Sequence, residues 1–385
     1  MRILLVSIKS IHFRRWAAQL EHSGHEVFYF DISGKVGFLS GMPWLKQKKS
    51  WKYRWNFPGR YVLKKSLPRV SRLLKCFNER PVDKIFEAYL NEVQPDVVQS
   101  FALHLSCVPI LNVMKAYPSI KWIFSAWGSD LYYHQNLPVY KKGIIDVLPR
   151  VDYLFTDCQR DAILAKQLGF NGKVLGVFPG GGGYDFKVCD PYILEVEQRH
   201  TIVIKGYEKE LGRCINVLKA LLLLKDELKG FELVVFGADP EVVDFVELNQ
   251  FASCFNFRIH DKINLLSHQD VLKLMGQSII YIGNSNSDGM PNTLLEAIIM
   301  GAFPIQSNPG GASAEIINHG ENGLLIEDCN DVKAIKKLIQ NAMSDNKLLE
   351  DAFYFNQTNI KPQLEINTIR EKVLAAYDRI IVEKT

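Results

Sequence analysis

Short, fully apolar runs alternate with amphipathic segments along almost the whole chain, and this alternation is what most narrows the folds open to it. "RILLVS" leads into a helical pattern around "FRRWAAQLEHSG" and then into "EVFYFD". "PDVVQSF", "KWIFSA", "DYLFTD" and "KVLGVF" follow, most of them separated by helical patterns. A strand apolar on both faces must be covered on both faces, and helices between such strands bring them back in parallel, so a helix-covered parallel sheet is predicted. The series runs to about Phe178 and breaks at "PGGGGYD", where four consecutive glycines would be costly in a helix or a strand. From there to about Gln198 no period is visible. A second series then begins with "TIVIK", "FELVVFG", "FRIH", "SIIYIG", "AFPIQS" and "GLLIE" as strands, and with helices over 209–225, 240–252 and 267–276 between them.

The expected fold is therefore α/β, with two doubly wound Rossmann-like domains over 1–190 and 191–385 facing a central cleft. The last helical stretch, about 364–382, is long enough to cross back towards the first domain. At roughly 100–200 residues per domain, 385 residues accommodate two. In such sheets ligands bind beyond the carboxyl ends of the strands. With 47% hydrophobic and 23% charged residues the chain can fill two cores, which excludes a disordered protein. Seven dispersed cysteines, with no CxxC pair, read as reduced thiols in a cytoplasmic setting. No apolar run approaches the ~18 residues of a membrane span, and "MRILLVSIKS" reads as a buried first strand rather than a signal peptide.

The most informative local stretch is "SDGMPNTLLEA", residues 287–297. The strand "SIIYIG" runs into a polar loop, and Pro291 suits the first position of a helix because it lacks the N–H that would be orphaned there. That helix stops at Gly301 and buries Leu294, Leu295, Ile298 and Ile299. Free amides at Asn292, Thr293 and Leu294, together with the helix dipole, favour a phosphate. Glu296 lies one turn further in, about 6–7 Å along the axis at 1.5 Å per residue, where a carboxylate can accept from both hydroxyls of a ribose. Asp288, in the loop before the helix, can meet a sugar hydroxyl or, through its neighbouring amides, the diphosphate end. Against this stands the plain alternative that acidic residues are common at helix starts for electrostatic reasons alone.

The wider stretch "SDGMPNTLLEAIIMGAFPIQSNPGGASAEII…GENGLLIE" resembles the C-terminal half of family 4 glycosyltransferases. It is dense over about Tyr281–Glu327 and looser over about Ile202–Lys384. The resemblance implies a GT-B fold and transfer of a sugar from a nucleotide sugar, UDP- or GDP-linked, with retention of configuration. It implies Asp288 in place of the first glutamate of the family's E-x7-E pattern and Glu296 as the second. Gly289, Met290, Pro291, Asn292, Thr293 and Ile263 then join Glu296 in donor binding. In "TIVIKGYEKELGR", where the family carries a Gly-Arg pair and then a Lys, Lys205 and Arg213 are the expected phosphate cations, with Lys209 equally eligible. Tyr207 stands near the family's Arg. In "FSAWGSDLYYH", Trp127 replaces a frequent His, and Asp130 follows in a familiar Gly-Ser-Asp turn. With Asp288, Lys205 and Arg213, Asp130 completes the expected catalytic set. His104 and His134 are candidates for the missing imidazole. His12 and Arg14, in "SIHFRRW", complete the acceptor-side set. "PGGGGYD" stands at the family's Pro-Asn-Gly junction and reads as a hinge.

No D-x-D triplet occurs in the chain, so no metal or other cofactor is expected, and cations and helix amides would hold the donor diphosphate. The net charge of +4 is unevenly spread. From Ile32 to Asn78 there are twelve Lys and Arg and no Asp or Glu, which leaves −8 for the remainder. In "MPWLKQKKSWKYRWNFPGRYVLKKSLPRVSRLLK" the aromatics Trp44, Trp51, Tyr53, Trp55, Phe57 and Tyr61 interleave with that charge. No RRM, KH or helix-turn-helix pattern accompanies it, which argues against nucleic acid. A solvated face is the bland alternative. An anionic membrane surface fits the combination, with lysines such as Lys48, Lys49, Lys64 and Lys65 attracted to it and Trp51 and Trp55 inserting. The reading is a retaining glycosyltransferase, peripheral on the inner face of the membrane, acting on a lipid-linked or glycolipid acceptor. A nucleotide-sugar epimerase of similar build and a non-catalytic membrane-binding scaffold are the rivals.

Overall fold

The computed structural model describes residues 1–34, 37–55 and 59–382, without the side chains of 60, 61, 64 and 382. Phe57 and the side chains of Tyr61 and Lys64, invoked above for the basic stretch, lie outside the described set, as does Lys35, the first of its twelve cations. The chain divides into two compact units. Unit 1 comprises Met1–Thr156, Asp161–Gly181 and Lys372–Thr385, and unit 2 comprises Asp157–Arg160 and Gly182–Glu371.

Unit 1 is built on a seven-stranded sheet in the order β3-β2-β1-β4-β5-β6-β7. The strands are β1 (Arg2–Ser7), β2 (Glu26–Asp31), β3 (Lys46–Lys48), β4 (Val97–Phe101), β5 (Lys121–Ser125), β6 (Tyr153–Thr156) and β7 (Lys173–Val177), all pairing in parallel. Its core collects Leu4, Val6, Phe30, Phe86, Trp122 and Phe124 among others. Residues after Lys372 belong to this unit through Tyr377, which is fully buried. Its hydroxyl receives the Trp16 indole N–H at 3.1 Å and donates to the side-chain oxygen of Gln99.

The edge strand β3 is not foreshadowed by the sequence pattern, and it changes the reading of the basic stretch. Pairing Phe28–Phe30 with Lys46–Lys48 lays the chain that follows over the sheet. Trp51, expected to insert into a membrane, is instead a core residue with 6% exposure. Its ring stacks on Phe30 at 5.1 Å, and its indole N–H donates to the Asp31 carbonyl at 2.8 Å. Lys48 is likewise engaged, 2.7 Å from Glu92. Lys49 and Trp55 remain outward, as do two helices, Arg60–Ser66 and Pro68–Asn78, where Val62, Val70, Leu73, Leu74 and Phe77, with Leu67 between the helices, are exposed.

Unit 2 carries a six-stranded parallel sheet in the order β10-β9-β8-β11-β12-β13. Its strands are β8 (Thr201–Lys205), β9 (Glu232–Ala238), β10 (Asn256–Asp261), β11 (Ser278–Gly283), β12 (Phe303–Ser307) and β13 (Leu324–Ile326). Alternate residues feed two cores. Ile202, Ile204, Val235, Ile280 and Ile305 pack on one face, and Val203, Val234, Tyr281 and Leu325 on the other. That two-sided burial is why these strands read as continuous apolar runs. The unit boundary falls within the glycine run at 181/182 and not at 190. Beyond it the backbone N–H of Tyr184 donates to the Leu364 carbonyl at 2.9 Å, and that of Ile366 to the Tyr184 carbonyl at 3.0 Å. A Cβ on Gly183 would stand 2.9 Å from Ile366 Cα, so the run is glycine there for close backbone approach and for its positive φ of 83°.

Candidate functional site

In unit 2 the strand order turns back on itself between β8 and β11, so the carboxyl ends of strands far apart in sequence lie side by side. This is the position where doubly wound sheets open a ligand site. Lys205 ends β8, and its Nζ is 3.4 Å from Oδ2 of Asp288, in the loop that follows β11. Burial works against the Lys205 ammonium, but the Asp288 carboxylate, with Tyr281 and Tyr207 beside it, outweighs that and raises its pKa. The lysine is thus held charged in a largely enclosed place. Asp288 also accepts from the Gly289 N–H through Oδ1 at 3.0 Å, which closes the loop on itself. A Cβ on Gly289 would lie 2.3 Å from the Asp157 carboxylate, so a larger residue there would have to displace that side chain.

The helix Asn292–Ile299 starts directly after this loop, one position later than expected, with Pro291 as its capping residue and not its first helical one. Tyr281 Oη lies 2.8 Å from Thr293 Oγ1, and Tyr184 Oη donates to the Asn292 carbonyl at 3.2 Å, so the first turn is held from two sides. Burial pushes the Tyr281 phenol up to about 12, so it stays protonated as a donor. Met290 packs against the core beneath the helix. Glu296 is only 4% exposed, and its Oε1 is 2.8 Å from Nε2 of His268. The structure therefore gathers Lys205, Asp288, Gly289, Met290, Pro291, Asn292, Thr293 and Glu296 at one end of the unit 2 sheet.

The loop after β8 departs from the expected helix. Lys209 has φ +45°, and the helix begins only at Cys214. Arg213 is the cap of that helix, and its guanidinium donates to the carbonyls of its own loop, Lys209 at 3.2 Å and Glu210 at 3.4 Å. Lys209 itself pairs with the buried Asp239 at 3.3 Å, as does Lys262 at 2.7 Å. Tyr207 carries two cations against its ring, Lys205 at 4.8 Å and Lys262 at 4.3 Å from the centroid. Ile263, just beyond β10, is exposed, with its N–H donated to Asp261.

Unit 1 holds the remaining expected residues. Asp130 is buried and accepts from the backbone N–H groups of Leu103 at 2.9 Å and Trp127 at 3.0 Å, tying the segments after β4 and β5 together. Burial raises its pKa to about 7, and the nearby Asp161 charge adds to this while the two amides oppose it. His104 lies in a π-helical turn, Leu103–Cys107, that follows Ala102 at φ +61°. Its ring sits 5.2 Å from that of His134 and 4.5 Å from that of Tyr140, and His134 stacks on Tyr140 at 4.4 Å. Burial, and then His134, lower the His104 pKa to about 4. His12 faces Trp127 with ring centroids 5.9 Å apart, and Arg14 is exposed beside Gly41.

Two residues of the unit 2 site escape sequence reasoning. Arg160 donates to the Asp288 carbonyl at 2.8 Å and to the Pro309 carbonyl at 2.6 Å, fixing the loop that carries Asp288. Its own N–H and that of Gln159 are held by Glu315 at 2.8 and 2.7 Å. Nothing local in "TDCQRD" announces a partner 128 residues away. The second is His268, which follows a recognisable Ser267 cap but gives no sign of its pairing with Glu296.

The fold is that of the GT-B glycosyltransferases. Sucrose-phosphate synthase from Thermosynechococcus elongatus matches it with a TM-score of 0.72 and 14% identity over 100% of each chain. Anabaena HepE in complex with UDP-glucose matches with a TM-score of 0.70 and 11% identity over 98% of this chain and 100% of that one. Within the chain, residues 197–357, which hold Lys205, Asp288 and Glu296, match the family described as glycosyl transferases group 1. The chain is also 30% identical over 122 residues to an exopolysaccharide phosphotransferase of Streptomyces coelicolor. That match spans 31% of this chain and 12% of that relative.

Proposed function

We propose that the chain is a retaining, metal-independent glycosyltransferase. It moves a sugar from a UDP- or GDP-linked donor to a lipid-linked or glycolipid acceptor in polysaccharide assembly. The observation that carries this is the convergence, at one strand end, of a buried ammonium, a helix start and an enclosed carboxylate. Each suits one part of a nucleoside diphosphate sugar. Glu296 accepts from the ribose diol. The amides of Asn292, Thr293 and Leu294 and the Lys205 ammonium receive the diphosphate. Lys205 stabilises the charge that grows on the leaving diphosphate as the glycosidic bond breaks. Asp288, on the far side of the loop, meets the sugar. Arg213 and Tyr207 flank the phosphates, and Ile263 lies at the base end. On unit 1, His12, Arg14, His104 and His134 are the acceptor-side residues, and Asp130 orders the loops that present them. The remaining catalytic work is positioning.

The names of similar proteins support this reading: HepE is described with UDP-glucose, and the Streptomyces relative carries an exopolysaccharide name. Mixing purified protein with UDP- or GDP-sugars and candidate acceptors tests it through release of free nucleotide. No release with any pair, in protein that also shows no thermal shift with either nucleotide, would overturn it. Because no D-x-D triplet is present, turnover should persist in EDTA. Loss on chelation with recovery on adding Mg²⁺ or Mn²⁺ would refute the metal-independent mechanism.

The acceptor's setting is read from the helices Arg60–Ser66 and Pro68–Asn78. The second buries only Ser71 and Asn78, while Phe77 is 71% exposed. Exposed Lys65, Arg69, Arg72 and Lys75 accompany these apolar side chains. Apolar side chains standing out among cations suit an anionic bilayer surface. No helix among the described residues is long and apolar enough to cross a membrane. Replacing Arg69, Arg72 and Lys75 with Gln should weaken co-sedimentation with anionic vesicles and flatten its salt dependence, since exposed charges are screened beyond about 8 Å at physiological ionic strength. Replacing Leu73 and Phe77 with Ser should weaken binding with less change in the salt slope. Wild-type protein that binds neutral and anionic vesicles equally at all salts, or neither, would leave a merely solvated basic face.

A further inference from the structure

We infer that His268 is a positioning residue for the donor's ribose. It holds the Glu296 carboxylate in the orientation that distinguishes a ribose from a sugar lacking those hydroxyls. This rests on the reading of Glu296 as the acceptor for the ribose diol.

A carboxylate as enclosed as Glu296 needs a hydrogen-bonding partner, because an unpaired buried charge is strongly disfavoured. His268 Nε2, 2.8 Å from Oε1, is such a partner. The histidine is the more open of the two, with 42% of its side chain exposed against 5% for Glu296. It opens the helix His268–Gly276, which Ser267 caps by accepting the Asp270 N–H. That helix and Asn292–Ile299 share one core, through Leu272 and Met275 on one and Leu295 and Ile298 on the other. The Glu296–His268 bond therefore joins two elements already packed on one core. A glutamate's terminal carboxylate otherwise turns freely about its last torsion. Fixing one oxygen through His268 fixes the plane of the carboxylate that an incoming diol would meet. The same logic operates around metal sites, where an outer partner orients a ligating side chain and its loss weakens binding without removing a ligand.

A purely structural histidine would behave differently. Its loss would lower thermal stability, or weaken all nucleotides by one common factor. A positioning histidine changes the ratio between nucleotides that differ only in their hydroxyls.

The test is calorimetric titration of the full chain with UDP, GDP and their 2′,3′-dideoxy counterparts. Wild type should prefer the ribose form of the nucleotide it binds by about 10–100-fold, the range for hydrogen bonds to a charged group. Glu296→Ala should abolish that preference. His268→Ala should cut it about tenfold at unchanged thermal midpoint, and His268→Gln, which keeps an N–H donor, should retain most of it. If Glu296→Ala leaves the preference intact, or wild type shows none, the donor reading fails and this inference with it. If Glu296→Ala abolishes the preference while His268→Ala keeps it, or lowers ribose and dideoxy affinities equally, the inference about His268 alone is overturned.

Discussion

Lys205→Met should lower turnover of the proposed sugar transfer about 10²–10³-fold, the loss typical of removing one group that stabilises charge developing in the transition state. The folded protein should survive the change. Lys205 is enclosed, and burial alone would work against its charge, so the ammonium persists because Asp288 faces it at 3.4 Å. Replacing the lysine removes a buried charge, which relieves burial. The partner left behind has a side chain 30% exposed, so it can be hydrated in place. Catalysis should therefore fall far more than stability. Lys205→Met combined with Asp288→Asn should not be additive, since residues in contact couple. Single-turnover kinetics beside a melting curve check this. A folded Lys205→Met protein that keeps turnover within a few-fold of wild type would remove the lysine from the leaving-group role.

Glu296→Ala should weaken nucleotide binding by roughly 1.5–3 kcal/mol, the value of hydrogen bonds to a charged acceptor. The effect belongs to the ground state as much as to the transition state, so it should raise KM more than it lowers kcat. The His268 side chain is 42% exposed and can be hydrated where the carboxylate is lost, so the fold of unit 2 should hold. Glu296→Gln, which keeps one acceptor oxygen, should fall between. Titration with UDP and GDP measures this, and unchanged affinity in a folded variant would defeat the ribose assignment.

Both effects concern residues that the sequence exposed, and the reason is local. Periodicity reports burial, and β8, β9, β11, β12 and β13 are buried along almost their whole length, so they are visible as apolar runs, while the edge strand β10 is only partly buried and shows through Phe257 and Ile259. Asp288, Pro291 and Glu296 are legible because strand, loop and helix start follow one another within a few residues. What the pattern hides depends on contacts distant in sequence. β3 is three residues of "KQK", polar in composition, and exists only because β2 offers an edge. Trp51 in a basic, aromatic stretch reads as a surface residue, but its ring finds Phe30. The segment 209–213, read as helix, becomes a loop once Asp239 draws in Lys209 and the Glu208 N–H. Arg160 and His268 have partners set by tertiary placement, which no spacing rule records.

The adjacency of β8 and β11 bears on when this site comes into being. Thr201–Lys205 pairs with Ser278–Gly283 only after two further strands and their helices have been sent to the other side of β8. Pairing over so long a separation is slow, because the loop must close before the contact rewards it. Lys205 and Asp288 meet only when that non-local step is complete. A nucleotide that needs both should therefore have nothing to grip in a partly folded chain. It would leave the refolding rate of unit 2 unaltered and act almost wholly by slowing unfolding, so that the occupied protein owes its persistence to a barrier on the way out.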